Sequence, residues 1–234
     1  KIMKKLLITI SFILGFVPMV SADIGVNIGV SGNLAVFHAV ATERSDESLM
    51  ATVGDEIDTE KESATKVGGY TSIFIEKTLS FLPGPFARMA VGYDMIQGTL
   101  ESDKVTKTRL EMVAGDQNRA IVNNVTQVEF ANLNTLYVSL MLTDNFYVKG
   151  GMMTVDVNTK ETLATGSTYG NLQLDGDMYG VGYHTDFGPG MFFRAEGTMI
   201  SFDGAKLTSS NAENTITLNQ LDGASARISI GKSF

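Results

Sequence analysis

Cysteine is absent from this chain, so no disulfide framework holds it together and its stability must come from elsewhere. Basic charge is in short supply: 18 Lys and Arg stand against 26 Asp and Glu, a net charge of −8. That balance argues against nucleic acid or anionic headgroups as partners, because both require a basic face. Proline is scarce (4) where glycine is abundant (24). Beyond residue 22 no stretch reaches the roughly 18 consecutive apolar residues that a membrane helix needs. The longest later run, FANLNTLYVSLML at 130–142, is interrupted by Asn132, Asn134 and Ser139. Histidine occurs only twice, which leaves little material for acid–base catalysis.

What is present begins with KIMKKLLITISFILGFVPMVSA. Lys4 and Lys5 form a basic head, Leu6 to Val17 an apolar core, and Val20-Ser21-Ala22 a small-residue cleavage site. The pattern predicts a signal peptide over 1–22, with Met3 as the start of translation, and one exported all-β domain over 23–234. Removing the leader leaves 15 basic residues against 26 acidic ones.

The remaining sequence alternates. In IGVNIGVSGNLAVFHAV, Ile24, Val26, Ile28, Val30, Leu34, Val36 and Val40 fall on one parity, and Gly25, Asn27, Gly29, Ser31, Asn33 and Ala35 on the other. Successive side chains of a strand point to opposite faces, so this is a two-faced strand. Seven further segments repeat the pattern: near 67–77, 87–95, 128–142, 146–155, 179–184, 191–202 and 224–231. Asn132 and Asn134 break the parity of one, and Thr154 to Val157 shift it in another. A bulge or a strand end would explain either. The non-apolar parity is rich in Gly, Ser and Asn with isolated charges, which suits a narrow lumen with the apolar parity turned to lipid.

Connections alternate as well. Short links at 78–85, 143–145 and 186–190 separate long polar links at about 41–65, 98–126, 158–176 and 203–221. All long loops therefore emerge on one side. Phe81, Phe86, Phe146, Tyr183, Phe187 and Phe193 crowd beside the short turns, and Phe234 ends the last strand, giving an aromatic ring at one membrane interface. The expected fold is all-β: a membrane-spanning, eight-stranded, antiparallel up-and-down barrel.

Leader, eight two-faced strands and terminal Phe together resemble the small eight-stranded outer-membrane barrels, the OmpA membrane domain and OmpX among them. The resemblance covers 23–234 and carries no catalytic motif. It implies location in the outer membrane of a Gram-negative bacterium, contact with outer-membrane lipid and lipopolysaccharide, and a monomer. It also implies an assembly signal at Ile228, Ile230 and Phe234 read by the barrel-assembly machinery, although Lys232 departs from the usual apolar residue there.

By parity Glu76, Arg88, Asp94, Arg194, Glu196 and Arg227 point into the lumen, with the parity of Lys149 unsettled. An eight-stranded barrel is only wide enough to be filled by its own side chains, so these charges are expected to pair, Glu196 with Arg227 on neighbouring strands among them. A gated pore is the functional reading and a polar plug the structural one; the barrel's dimensions favour the plug. His38 and His184 lie at opposite ends of their strands, roughly 30 Å apart at ~3.3 Å per residue, and cannot share a catalytic dyad. Each could still join a Ser and an acid alone, but rim and interface positions suit them better. TERSDESLMATVGDEIDTEKE holds eight acids against Arg44 and Lys61. Its DEIDTE segment lacks the glycine and ligand periodicity of a calcium loop, so the stretch reads as a solvated charged loop rather than a metal site. The expected role is non-enzymatic and without cofactor: envelope integrity and loops that contact surfaces or ligands. A narrow passive channel for small solutes and a lipid A-modifying enzyme are the alternatives.

Overall fold

The computed structural model describes residues 24–46, 57–112, 119–164, 166–211 and 214–234. The expected leader at 1–22 and the centre of the acidic first loop lie outside the described residues.

Among the described residues eleven strand segments form a single sheet: β1 (Val26–Asp46), β2 (Ile57–Thr78), β3 (Met89–Gln97), β4 (Leu100–Glu101), β5 (Val105–Met112), β6 (Arg119–Met141), β7 (Phe146–Thr162), β8 (Leu172–Asp186), β9 (Met191–Phe202), β10 (Ala205–Thr208) and β11 (Asn214–Ser233). β3, β4 and β5 follow one another along β6, and β10 continues β9 along β11, so the segments make eight staves. Neighbouring staves are antiparallel. β1 pairs with β11 from Asn27↔Ser233 to Ser45↔Asn214, which brings the sheet back onto itself. The fold is an up-and-down β-barrel.

The alternation sets the two surfaces. On β1, Asn27, Ser31, Asn33 and Ala35 are buried inside, while Leu34 (60% exposed) and Val36 (40%) face out. Tyr179, Val181, Met199 and Ile228 form the same exposed apolar exterior on β8, β9 and β11. A surface of this kind belongs in hydrocarbon rather than water.

The strands outrun the expected loops. β1 continues to Asp46, β2 starts at Ile57, β6 at Arg119 and β11 at Asn214, and β4, β5 and β10 fill much of what reads as polar link. Beyond the membrane both faces of a strand meet water, so the two-faced signal vanishes while the backbone ladder carries on. The parity break in β6 is a bulge: pairing with β7 skips between Ala131 and Asn134, and Asn132 adopts φ 51°. The supposed shift in β7 is neither bulge nor strand end. Phe146 to Val157 pair without interruption with Tyr183 to Leu172, and Met153, Val155 and Val157 are buried inside. What changes there is the chemistry of the interior.

At the short-turn end a 3-10 turn spans Gly84–Arg88, and Gly190 takes φ +68° before β9. Phe81, Phe86, Phe146, Phe187 and Tyr183 are exposed around this rim, with the Phe146 and Tyr183 rings edge to face at 5.3 Å. Val26 and Phe234 exchange both backbone hydrogen bonds, at 3.1 and 2.8 Å, fixing the seam.

Several interior glycines admit rings, Gly92 and Gly182 most closely. A Cβ on Gly92 would lie 2.2 Å from the Tyr137 ring, and one on Gly182 2.2 Å from the Tyr147 ring. Gly182→Ala is expected to destabilise the barrel by about 1–3 kcal/mol through overpacking. Gly197→Ala, where nothing lies within 4 Å, should be close to neutral. Urea unfolding of the two variants in detergent micelles checks the contrast.

Candidate functional site

The lumen has three levels. Nearest the short turns is a polar floor built by β2, β3, β7, β9 and β11. Glu76 accepts both guanidinium Nη groups of Arg194, at 3.0 and 2.8 Å, together with Asn27 Nδ2 (3.0 Å) and the Tyr137 hydroxyl (3.2 Å). Glu196 accepts the Tyr147 hydroxyl at 2.6 Å and Lys149 Nζ at 3.1 Å. Asp94 pairs with Arg227, whose Nε donates to Ser31 at 2.8 Å and Ser229 at 3.1 Å. Lys149 lies 3.8 Å from the Tyr137 ring centre, and Arg194 lies 4.7 Å from that of Phe192. All six charged groups are buried, three acids against three bases. The floor is electrically balanced and filled, as charge in a low-dielectric site requires.

Of the expected lumen residues, Glu76, Asp94, Arg194, Glu196 and Arg227 meet in this floor, and Lys149 joins them. Arg88 does not. It sits in the 3-10 turn ahead of β3, exposed, with Nη2 3.3 Å from Asp144 of the next short turn. The strand starts at Met89, so the parity that placed Arg88 inside has no strand to run on. Glu196 and Arg227 are register partners on β9 and β11, yet each is ion-paired elsewhere: Glu196 with Lys149 of β7, over Gly180 and Gly182 of the intervening β8, and Arg227 with Asp94 of β3, three staves away. Tyr137 and Tyr147, which complete the carboxylate shells, were not singled out in the sequence. Their signal was a tyrosine in register with a glycine of the adjoining strand, Gly92 and Gly182 respectively.

The remaining candidates are dispersed. Ile228 faces out, 60% exposed; Ile230 lies on the same parity. His38 Nδ1 meets Thr65 Oγ1 at 2.9 Å on the exterior. His184 lies 3.2 Å from Asp186, accepts Arg194 Nε at Nδ1 (3.0 Å) and stacks on Phe192. Their partners differ: His38 meets a threonine hydroxyl and lies in register with Asp222, whereas His184 is held between a carboxylate and a guanidinium.

Above the floor the interior turns apolar. Leu133, Met153, Val155, Leu174, Met178, Ile200, Phe202 and Leu221 form one buried cluster, with Phe37, Ile96 and Phe130 packed against it. It encloses a cavity of about 130 Å³ bordered by Phe37, Ile96, Leu133, Val155, Phe202 and Leu221. Higher still lies a charged mouth, where a cavity of about 220 Å³ is lined by Glu43, Glu62, Lys107 and Glu161 among others. Partial burial works against the Lys107 ammonium there, but hydrogen bonds from it to Glu62 and Glu60 outweigh this and hold its pKa above the ordinary lysine value.

Beside the apolar chamber the wall is incomplete. The β2–β3 ladder ends at Thr71↔Gln97. β4 and β5 pair with β6, and among the described residues no ladder joins 57–70 of β2 to either of them. Side chains alone bridge this gap: Lys66 to Asp103 at 2.6 Å, and Lys107 to Glu60 at 3.3 Å and to Glu62. Gly68 and Gly98 flank it, and a Cβ on either would meet nothing within 4 Å. At its foot a cavity of about 1010 Å³ is lined by Gly69 to Thr71 of β2 and by Ile96 to Leu100, and it extends along the wall to Leu34 of β1, Ala195 of β9 and Ile228 of β11. Val67, 61% exposed on the outer face of β2, places this opening within the apolar band. Unpaired backbone at that depth is tolerated only where it lines a cavity.

No family model matches the chain, and no curated protein sequence matches it. Solved structures similar to it include OprG from Pseudomonas aeruginosa, 13% identical with a TM-score of 0.44 over 91% of this chain and 97% of that one. The outer membrane protease OmpT from Escherichia coli is 10% identical, TM-score 0.41, over 89% and 97%. The attachment invasion locus protein Ail of Yersinia pestis is 9% identical, TM-score 0.35, over 87% and 99%. Such likeness concerns architecture and reaches no individual side chain. The closed antiparallel sheet, the apolar exterior and the neutralised interior are this chain's own, and they make it an eight-staved up-and-down barrel of the membrane-spanning kind.

Proposed function

We propose that this is a non-enzymatic outer-membrane protein that admits small apolar molecules at its outer mouth and releases them sideways into the bilayer. One observation carries the reading: an apolar chamber with a filled, charge-balanced floor beneath it and a gap in the wall beside it. A solute entering from outside meets ion pairs below and hydrocarbon to the side, so the path of least desolvation is lateral. This sharpens the passive-channel expectation, with the bilayer in place of the periplasm as destination. A supporting role in the envelope asks only for a stable barrel and is compatible with it. The same reading takes the protein as a monomer in contact with lipopolysaccharide, inserted by an assembly machinery that reads Ile228, Ile230 and Phe234.

The test uses vesicles whose outer leaflet is lipopolysaccharide, which apolar compounds cross slowly. The refolded protein is expected to speed the transfer of an apolar fluorophore into the bilayer and to give no stable large conductance steps in planar membranes. Unchanged transfer, or steady ion-conducting steps, would refute it.

A further inference from the structure

Beneath the apolar chamber, at its junction with the floor, lies a second cavity of about 30 Å³. That is room for one water-sized group. Asp94, Tyr70, Thr198 and Ser225 border it from the polar side, and Met153 and Met178 from the chamber side. Most polar groups around it are already committed: Thr198 and Ser225 share a hydrogen bond at 2.6 Å, and Glu196 holds Tyr147 and Lys149. Asp94 is only half used. Its Oδ2 takes Arg227, while Oδ1 is buried and has no donor. A buried carboxylate oxygen left without a donor is unfavourable, and an incoming hydroxyl or N–H relieves it where an acceptor would worsen it. The two methionines that separate this spot from the chamber are unbranched and adaptable, so they can yield to a ligand passing between the levels. The chamber above, about 130 Å³ and lined mainly by Phe, Leu, Val and Ile with Lys66, Glu101 and Ser102 on its gap side, is of the order of cavities that hold benzene.

We propose that the outer half of the lumen binds a small neutral amphiphile head down, an alcohol whose hydroxyl donates to Asp94 Oδ1 while a hydrocarbon body of about benzene size fills the chamber. This rests on the lateral-passage reading and names the class of molecule that the passage selects. Carboxylates are rejected, because the floor's bases are already neutralised by its acids and a second anion would face the Asp94 oxygen.

The experiment measures binding of toluene, benzyl alcohol, benzaldehyde and benzoate to the full chain in nanodiscs by saturation-transfer NMR, with empty discs giving the bilayer partition of each. Divided by that partition, the affinity for benzyl alcohol is expected to exceed those for toluene and benzaldehyde by about tenfold, with benzoate unbound. In Asp94→Asn the amide oxygen can keep Arg227 and the NH₂ then faces the cavity, so the preference should move to benzaldehyde. Should that variant not fold, the wild-type ranking decides alone. Equal normalised affinities for toluene, benzyl alcohol and benzaldehyde would overturn this inference and leave lateral passage standing. Binding of none of them would overturn both.

Discussion

Replacing Glu76 by alanine is expected to lower the stability of the barrel by about 3–5 kcal/mol, the loss typical of breaking a buried ion pair from one side. Glu76 is 3% exposed and receives Arg194 twice, Asn27 and Tyr137. Without it the Arg194 guanidinium stays buried with His184 Nδ1 as its remaining acceptor in the floor. The charge, once orphaned, is what destabilises. Glu76→Met combined with Arg194→Met should therefore be milder than Glu76→Ala alone, since apolar residues of similar volume often replace a buried pair at little cost. Equilibrium urea unfolding in micelles measures both. A loss below about 1 kcal/mol for Glu76→Ala would mean that the floor is wet and the pair behaves as a surface pair does.

The alternation made much of this fold readable, and it also marks where reading stops. On β1, β3 and β11 the lumen is polar and the exterior apolar, so parity separates Asp94 from Tyr93 and Arg227 from Ile228 without ambiguity. In the outer half the interior is apolar too. Phe37, Val155, Val157 and Phe202 point inward while their outward neighbours include His38, Asp156, Asn158 and Ser201, so period two continues but with the apolar parity inside, the reverse of what a lipid-facing reading expects. Parity also names a face without naming what stands opposite. Asp94, Glu196, Arg227 and Lys149 could be assigned or suspected as lumen residues, but the choice of Asp94 for Arg227 depends on side chains meeting from staves three apart, and no local pattern encodes that. The gap beside the chamber was least legible of all. It is the absence of a ladder between β2 and the segments after Gln97, hinted at only by Gly68, Gly69 and Gly98, residues that a barrel sequence rich in glycine does not make conspicuous.

Tying the two edges of that gap together is expected to reduce lateral transfer to the level of protein-free vesicles without unfolding the barrel. Lys66 and Asp103 face each other across it at 2.6 Å, with side chains 49% and 84% exposed. An ion pair so exposed contributes about 0–1 kcal/mol, too little to hold two strand edges shut against thermal opening. The native contact is thus a weak latch. Because the chain has no cysteine, Lys66→Cys with Asp103→Cys offers a short bis-methanethiosulfonate cross-linker a single pair of targets, each thiolate displacing a sulfinate to leave a reducible disulfide. Before cross-linking, this variant should transfer an apolar fluorophore at least as fast as the wild type, since it keeps only the Lys107 bridges to Glu60 and Glu62 across the gap. Afterwards transfer should stop, and a reductant should restore it. The remaining ladder, from Thr71↔Gln97 down to Thr78↔Ala90, is untouched, so unfolding in urea should not be made easier by the tether. Transfer that persists through a complete cross-link would mean that molecules leave the chamber by some route other than the wall between β2 and β5.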